Sequence, residues 1–167
     1  MKKQEIILSY TIHETTDSLS SLDAELINDA RKATEIAYAP YSHFHVGASA
    51  LLKNGKKLSG TNQENASFPV GICAERVLLS MIGQLFPGEA IETMAISYHD
   101  FNNTISNKPI SPCGMCRQAI HEYENRTQHP IRLLLTGMEG EIFEIADAES
   151  LLPLSFKGET LKKEKDQ

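Results

Sequence analysis

The sequence predicts an α/β protein built on a mixed, partly parallel sheet with helices packed on its faces. Three observations predict it. Strand-like and helix-like segments alternate along most of the chain, and an Asn54-Gly55 pair between two strand-like runs marks an early tight hairpin. In addition, 167 residues that are 41% hydrophobic and 23% charged suit one domain around one core, without disulfide staples.

Each element follows from local pattern. Ile6, Leu8, Tyr10 and Ile12 recur with period two and predict an extra N-terminal strand over residues 5–13. After a polar linker, Ser21 or Asp23 caps a helix whose Leu22, Leu26, Ala30, Ala33 and Ala37 follow three-to-four spacing. Pro40 ends that helix near Tyr38. The hairpin strands cover residues 45–52 and 56–61, and a loop over 62–72 leads into a helix over 74–86 with Val77, Leu78, Met81, Ile82 and Leu85 on one face. Residues 91–98 read as a strand and residues 113–125 as a helix opened by Pro112. Two further strands over 131–135 and 141–145 complete the order, and residues 157–167 form a charged, solvated tail.

Charge and cysteine usage narrow the function classes. A net charge of −6 has the wrong sign for gripping nucleic acid or an anionic membrane, and favours a small or neutral ligand. The longest apolar runs, such as Val77-Leu78-Leu79, fall far short of the roughly 20 residues of a membrane span. Three cysteines cannot all pair within one chain, and the polar start lacks a secretory apolar region, so a reducing cytoplasm is expected.

Chemistry concentrates in the cysteines. Cys113 and Cys116 sit three residues apart at a predicted helix start, where both thiols can reach one ion and the exposed amides favour thiolates. Alone, such a pair fits a redox dithiol, half of a structural zinc site or half of a catalytic one. Cys73 lies at another predicted helix start forty positions earlier, and helices flanking one sheet can bring all three sulfurs around one zinc ion. Three ligands leave a fourth position for water, whereas a structural site would need His43, His45, His99, His121 or His129 as well. Glu75, two residues after Cys73, can face the same centre only if Cys73 sits at the very start of its helix, and it then reads as a general base. Three thiolates and one Zn²⁺ carry a net negative charge, which the Arg76 guanidinium would offset by hydrogen bonding to the sulfurs.

Cys73-Ala74-Glu75 and Pro112-Cys113-Gly114-Met115-Cys116 together resemble the signature of the cytidine deaminase family in its Cys₃ zinc form. Tyr41 to Ala48 is similar to that family's first-strand motif, and Gly60 to Ala66 to its nucleoside-binding loop. The resemblance implies that Phe44 lies against the nucleoside, that Asn62 and Glu64 hold the ribose 3′-hydroxyl, and that the Ala66 backbone meets the base. Bottom-up, an amide and a carboxylate two residues apart in an extended loop point to one side and can clamp a hydroxyl. Without the family, Phe44 reads as a core aromatic, and Asn62 with Glu64 as a turn cap and a solvated charge.

The likeness covers roughly residues 22–156, dividing the chain into an N-terminal extension (1–20), a deaminase-like domain (21–156) and the tail. It further implies a three-layer α/β/α sandwich, one Zn²⁺ per chain and a homotetramer, with a homodimer as the smaller option. Phe156, following Leu151-Leu152-Pro153, would reach a neighbouring subunit's site. The expected reaction is hydrolytic deamination of cytidine and 2′-deoxycytidine in pyrimidine salvage. Competing expectations are deamination of a nucleoside-like compound such as blasticidin S, and a non-catalytic, zinc-stabilised nucleoside-binding module. Two features depart from the family pattern: the segment before about Asp17, and Phe68-Pro69-Val70-Gly71 ahead of the metal cysteine.

Overall fold

The computed structural model describes residues 1–103 and 105–158. Six strands form one sheet in the order β1-β6-β5-β4-β2-β3, where β1 is Thr11–His13, β2 Phe44–Leu52, β3 Lys57–Thr61, β4 Ile91–Asp100, β5 Arg132–Leu135 and β6 Ile142–Ile145. Only β4 and β5 run parallel, and the other neighbours are antiparallel. Helix α1 (Ser21–Ala33) covers one face, and α2 (Ala74–Leu85) and α3 (Gly114–Thr127) cover the other.

Strand alternation produces the layers. Ala48, Ala50 and Leu52 of β2 turn toward α2 and α3, meeting Leu78, Ile82 and Ile120, whereas Leu51 and Ala95 turn toward Leu26, Ile27 and Ala30 of α1. Burial of this kind contributes about 25 cal/mol for each Å² of apolar surface removed from water, so both helical layers are held by the sheet. Gly60 on β3 permits close docking of α2: a Cβ there would stand 2.8 Å from the Ala74 carbonyl oxygen and 2.7 Å from the Leu78 nitrogen.

Two sequence expectations are corrected. The N-cap of α1 is Ser20, not Ser21 or Asp23: its Oγ accepts from the Asp23 amide at 3.1 Å and donates to Asp23 Oδ2 at 2.8 Å, a reciprocal pairing across the first turn. The N-terminal strand is three residues long, not nine: its ladder on β6 runs from Thr11↔Glu144 to His13↔Ile142, and a partner of four residues is too short to pair with nine. Before it, Ile6, Ile7, Leu8 and Tyr10 lie exposed. At the other end of α1 a 3-10 turn over Thr34–Ile36 carries the chain toward Tyr38. Of the expected charged tail, residues 159–167 lie outside the described residues, and Lys157 pairs with Glu149 at 2.7 Å.

Candidate active site

Cys73 and Cys113 are the N-cap residues of α2 and α3, both in extended backbone, so the chain enters each helix with its thiol at the rim. Cys116, in the first turn of α3, is fully buried beneath them. The Sγ atoms of Cys73 and Cys113 are 3.8 Å apart and those of Cys113 and Cys116 are 3.5 Å apart. Four-coordinate zinc with Zn–S bonds of about 2.3 Å requires sulfurs about 3.8 Å from one another, so the triangle fits the ion. Among the described residues no histidine or carboxylate joins it. His45 Nδ1 is 3.0 Å from the Thr34 carbonyl, and His121 Nε2 is 2.9 Å from Ser155 Oγ. The donor set is three thiols, which leaves one tetrahedral position for water or substrate.

The electrostatics suit a cation. A hydrogen bond from Cys116 pulls the Cys73 thiol down to about 6, and the same pairing together with burial pushes Cys116 up. Cys73 thus ionises readily, and a divalent ion would offset the cost of ionising the buried Cys116. Glu75 is the second residue of α2 and only 4% exposed. Burial raises its carboxyl above the ordinary value, while its own amide and the Cys116 thiol pull it back. The carboxyl is therefore beside the sulfurs, as the N-cap placement of Cys73 requires. Arg76 is half-buried and its charge helps lower Cys73; among the described residues no hydrogen bond joins it to a sulfur.

The substrate-side candidates come from the start of β2 and the loop after β3. The Phe44 ring stacks on Tyr98 with centroids 4.9 Å apart, on the sheet face that carries α2 and α3. Asn62 is largely committed to β2: its Nδ2 donates to the Phe44 carbonyl at 2.9 Å and its Oδ1 accepts from the Val46 amide at 2.8 Å. One N–H of that amide remains for a ligand. Glu64 Oε2 accepts from the Tyr41 and Ser42 amides at 2.9 and 3.2 Å. Desolvation opposes its charge, but the bonds from Ser42 and Tyr41 outweigh it and lower its pKa. Glu64 also lines a cleft of about 290 Å³ with Tyr41, Ser42, Asn65, Phe68 and Gly71. Ala66 is exposed on the same loop.

Sequence reasoning missed the joint that ties this loop to the metal. Gln63 and Ile72 exchange backbone hydrogen bonds of 2.9 and 3.0 Å, which fixes the peptide leading into Cys73 between the two candidate ribose groups and the first ligand. No side-chain signal marks such a bridge. Phe156 is 63% exposed, and its carbonyl accepts from Gln118 Nε2 at 3.1 Å.

Residues 20–129 match the family model described as the cytidine and deoxycytidylate deaminase zinc-binding region. The chain belongs to this deaminase family. The cytidine deaminase of Halalkalibacterium halodurans is 35% identical over 136 residues, which is 81% of this chain and 95% of that protein. That of Sporosarcina psychrophila is 36% identical over 142 residues, 84% and 96% of the two chains. The crystal structure of cytidine deaminase from Burkholderia pseudomallei superposes with a TM-score of 0.69 at 36% identity, covering 83% of this chain and all of that one. The three-layer deaminase fold, the sulfur triangle and one zinc ion per chain are thus mutually consistent. Among the described residues no helix of this deaminase is long and apolar enough to cross a membrane.

Proposed function

We propose that the protein catalyses the hydrolytic deamination of cytidine and 2′-deoxycytidine, releasing ammonia and the corresponding uridine. The observation that carries this reading is the buried Glu75 carboxyl, in the same helical turn as Cys73, beside a three-sulfur, zinc-sized triangle that has no fourth protein ligand among the described residues. Zinc held by Cys73, Cys113 and Cys116 supplies Lewis acidity, bringing a water's pKa toward about 7. Glu75 is the proton carrier. Its carboxylate takes a proton from the attacking water and passes one to N3 of the base, which makes C4 electrophilic. Once the hydroxyl has added to C4, Glu75 takes that hydroxyl's proton and delivers it to the amine as the C4–N bond breaks and C4=O forms, so cytidine and water become uridine and ammonia. Burial suits Glu75 to both directions of transfer, since a raised pKa makes it a better base for water and leaves it an adequate acid for the amine.

Phe44 presents a ring to the nucleoside, Ala66 its backbone to the base, and Glu64 with the remaining Asn62 N–H clamps the ribose 3′-hydroxyl. Contact at the 3′-position alone accommodates both sugars. The Glu64 charge at this rim repels a phosphate, which favours a free nucleoside over a nucleotide. Phe156, exposed on this chain, serves a neighbouring subunit in a homotetramer, or in a homodimer if the larger assembly does not form. Reduced thiols at the metal site suit a cytoplasmic enzyme of pyrimidine salvage. A panel of cytidine, 2′-deoxycytidine, CMP and blasticidin S, followed by ultraviolet absorbance, tests the reading. Turnover of the two nucleosides with CMP untouched is the expected result, and turnover of blasticidin S alone would replace the substrate while keeping the chemistry.

A further inference from the structure

Arg117, one residue after the buried ligand Cys116, takes no part in the chemistry described above, yet it grips both peptides that flank another ligand. Its backbone N–H donates to the Cys113 carbonyl at 2.9 Å, and its side-chain Nε donates to the Pro112 carbonyl at 2.8 Å. Pinning both carbonyls fixes the peptide planes on either side of the Cys113 Cα, and with them the direction of its Cα–Cβ bond, from which the thiol projects. Cys113 needs this support: it is exposed, and its neighbour Gly114 meets nothing within 4 Å where a Cβ would stand. The other rim ligand, Cys73, has its preceding peptide fixed by the Gln63–Ile72 bridge, and Arg117 does with a side chain at Cys113 what that bridge does with backbone.

The same guanidinium reaches further. Its Nη1 donates to the Leu151 carbonyl at 3.0 Å. Leu151 opens a stretch that α3 holds twice more, through Ser155 Oγ at 2.9 Å from His121 Nε2 and through the Phe156 carbonyl at 3.1 Å from Gln118 Nε2. Of these three side chains Arg117 also hydrogen-bonds to the metal loop, at the Pro112 carbonyl. A planar guanidinium can serve two carbonyls in fixed directions at once, which a lysine ammonium on a flexible stem cannot do with the same rigidity.

We propose that Arg117 is a positioning residue: it holds Cys113 in ligand geometry and fastens the metal loop to the C-terminal segment. The proposal rests on the three cysteines forming the zinc centre. The test compares zinc-loaded wild type with Arg117→Lys and Arg117→Met, measuring zinc transfer to a chromophoric chelator, kcat and KM for cytidine, and Tm. Arg117→Met is expected to hold zinc about 10–100 times more weakly than wild type, the range seen when groups supporting metal ligands are removed, and so to release it faster, with a lower kcat. Arg117→Lys should fall between. A purely structural arginine would lower Tm and leave zinc release from the folded protein unchanged, and that result overturns the proposal. If Arg117→Met does not fold, Arg117→Lys decides by the same criterion: faster zinc release at a wild-type Tm supports the role, and an unchanged rate refutes it. Zinc release is read without substrate, so a wild type that holds zinc but leaves cytidine intact would overturn the reaction while the Arg117 result still stands or falls by itself.

Discussion

The sulfurs of Cys73 and Cys113 stand 3.8 Å apart although the residues are forty positions apart in the chain. The approach is a consequence of topology. Helices α2 and α3 lie on the same face of the sheet with β4 between them in sequence, so their N-termini meet at one edge and each offers its N-cap residue there. An ion placed between helix N-termini also gathers thiolates that the local amides already favour.

The docking of α2 on β3 sets where Cys73 and Glu75 stand, and Gly60 sets how closely it docks. A methyl group at this position meets backbone atoms of Ala74 and Leu78 at 2.7 to 2.8 Å, which cannot rotate away. Gly60→Ala should cost about 1–3 kcal/mol of stability, as overpacking does elsewhere. Because the displaced turn carries Cys73 and Glu75, zinc affinity should fall with it. Thermal melts and zinc titration of the variant measure the two effects, and a variant with wild-type Tm would show that the helix has slack.

Glu64 is expected to act in binding rather than in the chemical step. Replacing a charged acceptor of a hydroxyl by a neutral one removes the difference between the two kinds of bond, about 1–1.5 kcal/mol, so Glu64→Gln should raise KM for cytidine roughly 5–10-fold with kcat nearly kept. Steady-state kinetics distinguish this from a fall in kcat at constant KM, which would place Glu64 in the reaction. The lowered pKa of Glu64 means that this binding contribution persists into mildly acidic solution and is lost only as pH falls through the folded value.

A buried carboxyl at the far end of α3 gives the fold a pH dependence of opposite sign. Glu124 Oε1 accepts from the Ile131 amide at 2.8 Å, and Oε2 is buried without a partner. Burial raises its pKa to about 7; the Ile131 bond opposes the shift, and the charges of Asp147 and Glu149 add to it. The folded chain therefore keeps a proton that the unfolded chain releases near 4.5, so this group's contribution to stability declines as pH rises from about 4.5 to about 7. Glu124→Gln keeps the acceptor for Ile131 and carries no charge. It should raise Tm by a few degrees at pH 8 and much less at pH 5, and an equal change at both pH values would contradict the titration.

The metal centre was legible in the sequence because its information is local: the Cys-x-x-Cys spacing, the Cys-x-Glu spacing and two helix starts each report on neighbouring residues. The hairpin and the three helices were legible for the same reason. What escaped were relationships carried by backbone carbonyls. The bonds from Arg117 to Pro112 and Leu151, and the Gln63–Ile72 bridge, join groups that every residue possesses, so nothing in the side-chain pattern marks them. Asn62 shows a second limit. Its position two residues before Glu64 is plain in the sequence, but the use of most of its amide on Phe44 and Val46 depends on how close β2 lies to the loop. The N-terminal strand was overextended because alternation in residues 6–12 says nothing about the length of β6, the strand it must pair with.

The central claim is that Glu75 moves protons beside a zinc ion held by three cysteines. It is tested most directly by measuring ammonia release from cytidine together with zinc per chain, for the wild type and for Glu75→Ala. The expected result is one zinc per chain in both proteins, uridine and ammonia formed in equal amounts by the wild type, and a rate about 10²–10⁴-fold lower in the variant. A zinc-loaded Glu75→Ala protein that deaminates cytidine at the wild-type rate, or a zinc-loaded wild type that releases no ammonia, would contradict it.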